Sequence, residues 1–214
     1  MKSIVLAIAM AISNFAVASE EPFTDFKSFA EGHEGNGGDV VFCPSGSPFQ
    51  IKVLEEYESE YIRDWHVLPT EKSTYVGIAA DYVNQSLGPR FPMLTGLLTD
   101  RIKAFDKNVK FLKGSELTDI PDSSHIALPI DCRVRQIVVL VRSPFPGDFK
   151  YTVNADLWDM LSVKQKALVI LHESLYELTL DDGAENSIGA RYLNSVVFSG
   201  KLSEFYGTDK KAFE

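Results

Sequence analysis

Cysteine is nearly missing from this chain: its 214 residues include only Cys43 and Cys132, and no C-x-x-C pair exists to act as a dithiol redox centre. No serine sits in a G-x-S-x-G turn, so the nucleophile elbow of the α/β-hydrolases is excluded. Positive charge is short too. Twenty-one Lys and Arg stand against 30 Asp and Glu, a net charge of −9, which argues against binding nucleic acid or an anionic membrane surface by charge. There is no internal repeat and no low-complexity segment. The apolar run nearest the start, Ile4 to Ile12, is too short to anchor the chain across a bilayer.

What that run does fit is an export leader. Lys2 supplies the positive start, and Ala16-Val17-Ala18 obeys the small-residue rule for cleavage before Ser19. No cysteine follows the cleavage point, which disfavours a lipid-modified N-terminus. Residues 1–18 are therefore expected to be a signal peptide, and the mature protein to be periplasmic or secreted, with no membrane span. Losing Lys2 leaves 20 basic and 30 acidic side chains, a charge of −10. In an exported chain an even cysteine count favours a Cys43–Cys132 disulfide, the alternative being two free thiols or part of a metal site. The length suits a single domain over 19–200 with a polar tail over 201–214.

Taken in order, residues 19–35 are polar and lead into Asn36-Gly37-Gly38-Asp39. A glycine run that cradles phosphate joins a strand to a following helix, whereas this one precedes the strand-like Val40 to Cys43. It reads instead as a loop that needs positive φ or close backbone approach. His33 and Glu34 form a His-Glu pair beside it, a minor metal candidate. Phe49 to Leu54 alternates like a second strand, making a hairpin with the first. Glu55 to Asp64 is acidic and aromatic, and the four-residue spacing of Tyr57 and Tyr61 predicts one helical face.

Two core helices are expected next, over Tyr75 to Val83 and behind Pro92 over Leu94 to Phe105. Strands are predicted at Val109–Leu112, His125–Leu128 and Val134–Val141, the last apolar and β-branched enough for a sheet interior. Tyr151 to Val153 reads as a final edge strand, with Asn154 capping a short helix. Ser162-Val163-Lys164-Gln165 is a capping box that opens the main helix. Ala167 to Leu171 is apolar all round, so that turn is expected to be buried on every side. Gly183 ends the helix and Asn186 caps the next. The fold class is thus α+β: a small mixed or antiparallel sheet packed by helices, with two zincin-like helices at the C-terminal end.

The polar constellation lies on those last helices. His172-Glu173 comes directly after the apolar turn, as the first half of the zinc-binding H-E-x-x-H does, where two histidines hold the metal and the glutamate acts as general base. Tyr176 stands where the second histidine belongs. One nitrogen ligand falls short of the three protein ligands a catalytic zinc normally has. The bland reading is a buried polar network in which His172 donates a hydrogen bond and Glu173 pairs with Arg191, since buried charges must be paired. Asp119, Asp122 and Asp131 with His125 form a weaker acid/base candidate.

Gly35-Asn36-Gly37-Gly38-Asp39-Val40 up to Cys43, Asp119-Ile120-Pro121-Asp122-Ser123 with His125, and Leu128-Pro129 up to Cys132 together resemble a family of uncharacterised secreted proteins from predatory-type Gram-negative bacteria. The resemblance continues through Tyr151-Thr152, Asn154, Asp156-Leu157-Trp158, Leu171-His172-Glu173, Tyr176, Asn186-Ser187, Arg191-Tyr192 and Asn194. It implies export and a shared fold, and brings no activity with it. In that family's pattern a histidine follows the helix-ending glycine, whereas this chain has Ala184. Metal chemistry is accordingly less favoured here than in the family.

The leading expectation is an exported protein without catalytic activity, in which His172, Glu173, Tyr176, Asn186, Arg191 and Tyr192 form a structural or partner-binding cluster. No cofactor is expected, and any protein partner would lie in the envelope. The competing expectation is a zinc-dependent, peptidase-like hydrolase with His172 as metal ligand, Glu173 as general base and Tyr176 stabilising an oxyanion or ligating the metal. A third is an envelope or surface interaction protein that exposes the Tyr57 and Tyr61 face.

Overall fold

The computed structural model describes residues 34–45, 47–117, 127–141 and 150–206. The expected leader, His33, and the segment with Asp119, Asp122 and His125 lie outside the described residues, as do His125 and Ile126 of the strand expected at His125–Leu128; the described Ala127 and Leu128 are not in a strand. The architecture is α+β. Strands β1 (Glu34–Asn36), β6 (Val138–Val141), β7 (Tyr151–Asn154) and β4 (Val109–Leu112) form a mixed sheet in the order β1-β6-β7-β4. Strands β3 (Ile51–Val53), β2 (Asp39–Phe42) and β5 (Arg133–Gln136) form a smaller antiparallel sheet in the order β3-β2-β5.

The stretch 134–141, expected as one strand, is divided between the two sheets. β5 pairs with β2 and β6 pairs with β1, yet the register is the same on both sides of the break: Asn36 faces Val139 and Asp39 faces Gln136. Residues 34–42 and 133–141 are therefore one antiparallel ribbon bent at Gly37-Gly38 and Ile137. At the bend the Gly38 carbonyl accepts the amides of both Ile137 and Val138. A Cβ on Gly37 would lie 2.4 Å from the Val138 carbonyl oxygen, so only glycine allows the two backbones to meet there. Cys43 and Cys132 lie just beyond Phe42 and Arg133, the last register pair, and their disulfide closes the ribbon's end. It links the ends of two neighbouring strands of the same sheet.

β7 is not an edge strand. It lies between β6, antiparallel, and β4, parallel, because the chain between β4 and β7 returns β7 alongside both. The hairpin of β2 and β3 forms as expected, pairing Val40 with Val53.

The α-helices of the described residues are α1 (Leu54–Ile62), α2 (Tyr75–Ser86), α3 (Pro92–Ala104), α4 (Ala155–Met160), α5 (Val163–Asp181), α6 (Ile188–Ser199) and α7 (Leu202–Tyr206), with a 3-10 turn over Phe105–Lys107. Local chemistry sets their ends. Asn154 Oδ1 accepts the Leu157 amide at the start of α4, and the Ser162–Gln165 capping box opens α5 with both of its bonds made. Gly183, at φ +95°, lies just past the end of α5, and Gly200, at φ +69°, caps α6 in the left-handed region that favours glycine.

Helix α5 is the centre of the molecule, packed by α1, α2, α3 and α6 and by β3. Every residue from Ala167 to Tyr176 on it is buried. The tail beyond Gly200 opens with α7, whose Leu202 joins the core. No helix among the described residues is long and apolar enough to cross a membrane.

Candidate functional site

Helix α5 carries His172 and Glu173 into the interior because the stretch before them, Ala167 to Leu171, is apolar on every side and has no polar face to turn toward water. Both residues are 0% exposed. Their partners come from elements that no sequence pattern connects with them. Nδ1 of His172 meets Oε1 of Glu55, in the first turn of α1, as a buried ion pair. Asn194 of α6 donates from Nδ2 to the Leu168 carbonyl at 3.0 Å and approaches the same Glu55 oxygen at 3.4 Å. One carboxylate thus joins α1, α5 and α6.

Glu173 does not pair with Arg191. Its Oε1 accepts the backbone amide of Gly38 at 2.6 Å, across 135 residues of sequence. The glycine run is what lets the backbone come so close: Cβ atoms on Gly37 and Gly38 would fall 3.0 and 3.2 Å from that oxygen. Arg191, also buried, instead turns its Nε toward Glu58 of α1 at 3.6 Å, and Arg63 approaches the other oxygen of Glu58 at 3.6 Å. The set holds three carboxyl groups, Glu55, Glu58 and Glu173, against His172, Arg191 and the part-exposed Arg63. Paired charges of this kind can persist where single ones cannot.

Burial works against the charge on His172, but the Glu55 carboxylate beside it prevails, and its pKa is pushed up to about 9. Burial also pushes Glu55 upward, and there the imidazolium wins, holding it below the usual carboxylate value. Burial raises Glu173 to about 7, against the opposing pull of His172 and the Gly38 amide. Burial likewise raises Glu58 in spite of Arg191. Glu55 and His172 are therefore held as an ion pair, while Glu173 is the group poised to take up a proton near neutrality. Nε2 of His172 and Oε2 of Glu173 have no hydrogen-bond partner among the described residues.

Of the other residues singled out from the sequence, Tyr176 is buried next to His172, with ring centroids 5.9 Å apart. Tyr192 borders the charged set through Arg63, whose guanidinium stands 5.2 Å from its ring centre, and Trp65 packs 5.9 Å away. Asn186 is exposed and accepts the Ile188 amide at 3.1 Å, so it shapes the start of α6 and does not enter the cluster. Asp131, with φ +64°, sits in the turn before Cys132.

Sequence reasoning alone misses Glu55, Glu58 and Gly38. Their signal is weak but present: Glu55 and Glu58 are three apart, which puts both on one face of α1, and the glycine run lacks the helix that a phosphate loop requires after it. Among the described residues, no three His, Cys, Asp or Glu side chains converge as a metal ligand set. No protein-family model, no curated protein and no solved structure matches the chain.

Proposed function

We propose that this is an exported protein that acts by binding a partner in the cell envelope, and that its zincin-like helix pair is a structural keystone and not a catalytic centre. The observation that carries this reading is the enclosure of His172 and Glu173. Each is fully buried and directed to an internal partner, Glu55 and the Gly38 amide, so neither presents the open coordination position of a catalytic zinc. The leader-like pattern expected over residues 1–18 and the disulfide support this reading of an oxidising compartment. The competing zinc-hydrolase reading needs three protein ligands around His172, and although its Nε2 has no hydrogen-bond partner, no three His, Cys, Asp or Glu side chains converge there among the described residues.

One surface feature favours an interaction role. At the C-terminal end of α1, Tyr61 and Ile62 are 55% and 60% exposed, beside the half-buried Phe49. Tyr57, the other half of the expected aromatic face, is buried, stacked 4.7 Å from Tyr61, and donates its hydroxyl to the Ala127 carbonyl.

The test is the metal content of the mature protein and of a His172→Ala variant, both purified without chelators or metal-affinity resin. Near-zero zinc in both is expected. One zinc per chain in the wild type that disappears in the variant would overturn the proposal and restore the hydrolase.

A further inference from the structure

Away from the buried cluster, a cleft of about 170 Å³ opens where β5 runs beside the extended stretch after β4. A cavity of roughly 150 Å³ is enough to hold a benzene ring, so this space suits a ligand the size of one amino-acid residue. Its wall residues are charged in a way the rest of the chain is not. Two arginines, Arg133 and Arg135, and one carboxylate, Glu116, line it, in a protein whose net charge is −9.

The two arginines are two apart on a strand, so they project from the same face. Arg135 is fixed: it donates to Glu116 Oε1 at 2.8 Å and its guanidinium lies 5.6 Å from the centre of the Phe42 ring. Arg133 is exposed and makes no ion pair among the described residues. Asn154, buried at the cleft's base, is locked by bonds on both sides of its amide, donating to the Ser115 carbonyl and accepting from the Leu157 amide. That bond to Ser115 holds one wall, and Leu117 and Val134 add apolar surface. The side chain of Glu116 is 79% exposed, so an incoming carboxylate can displace it from Arg135 with little loss.

We propose that this cleft binds a small carboxylate with a short apolar body, with Arg133 and Arg135 as the anion clamp and Glu116 as the internal carboxylate that the ligand replaces. Planar guanidinium groups match a carboxylate in two-point geometry, which an amide or alcohol cannot exploit. A free amino-acid derivative and the C-terminal residue of a peptide present the same chemistry.

The experiment titrates the full mature protein with N-acetylvaline, N-acetylvalinamide and the tripeptide Ala-Ala-Val. The readout is the NMR side-chain amide signals of Asn154 and Gln136. Movement of these signals with the acid and not with the amide is expected. Arg133→Met should weaken binding roughly tenfold, and Glu116→Gln should strengthen it a few-fold by removing the competing carboxylate. Tighter binding of the tripeptide than of N-acetylvaline assigns the ligand to a peptide end, and equal binding assigns it to a free acid. Equal shifts with acid and amide, an unchanged affinity in Arg133→Met, or no shift at about 10 mM acid would each overturn the proposal. Both substitutions lie on the surface, and a thermal melt of each variant checks that the fold is kept.

Discussion

Glu173 Oε1 accepts the amide of Gly38 at 2.6 Å, and this one bond ties the central helix to the bend of the β-ribbon 135 residues earlier. The bond needs two things together: a carboxylate driven inward by the apolar turn before it, and a backbone stripped of side chains at the point of contact. Both the bend and the buried charges around it can be tested by substitution.

At the bend, Gly37→Ala would set its methyl 2.4 Å from the Val138 carbonyl oxygen, whereas Gly96 on α3 has nothing within 4 Å of an added Cβ. Gly37→Ala is expected to destabilise the protein by about 1–3 kcal/mol through the forced shift of backbone. Gly96→Ala is expected to stabilise it by roughly 0.5–1 kcal/mol, because the helix loses its flexible residue. Urea unfolding of the two variants reads both signs, and equal effects would show that the ribbon is not closed at Gly37.

His172→Ala removes one member of a buried ion pair and strands the Glu55 carboxylate, which costs about 3–5 kcal/mol. Replacing both, with Glu55→Gln and His172→Gln, should cost clearly less than the sum of the single changes. A double-mutant cycle measures the coupling. Additive costs would mean that the two side chains do not interact.

Stability should fall as pH rises from the ordinary carboxylate range to about 9. Glu173 has a folded pKa raised from 4.5 to about 7, so the folded state holds its proton more tightly than the unfolded chain does. Its contribution is present below pH 4.5 and is lost as pH climbs through 7. His172, raised from 6.5 to about 9, contributes fully below pH 6.5 and loses its effect as pH rises through 9. Glu55, lowered, acts the other way, and its contribution is lost on acidification below its ordinary value. Denaturation midpoints measured across this range should show a flatter lower limb in Glu173→Gln and a flatter upper limb in His172→Gln.

The Cys43–Cys132 bridge spans 89 residues, and in the chain-entropy model it stabilises by at most about 4–5 kcal/mol. Reduction, or Cys132→Ser, should lower the unfolding midpoint without changing the far-ultraviolet spectrum, since the β2–β5 ladder persists without the bond. Unaltered stability in the presence of reductant would contradict the bridge.

Much of the secondary structure is legible in the residues. The capping box at Ser162, the cap at Asn154 and the stop at Gly183 are local devices, satisfied by atoms three or four positions away, so sequence alone reveals them. The all-apolar turn before His172 likewise signals that His172 and Glu173 enter the interior. The α+β class rests on alternating and helical patterns of the same local kind.

Partnership is what local pattern cannot supply. The apolar stretch 134–141 looks like one strand by composition, and only the pairing with 34–42 across the glycine bend divides it between two sheets. Charge and nearness in sequence match Glu173 to Arg191. In the folded protein Arg191 faces Glu58, and Glu173 takes a backbone amide. Which buried charge meets which is set by long-range packing of α1 and the ribbon against α5. A carboxylate accepts equally well from an arginine, a histidine or an amide, so its chemistry does not name its partner. The residues determined that these charges would be inside and must be satisfied; only the tertiary structure decided by whom.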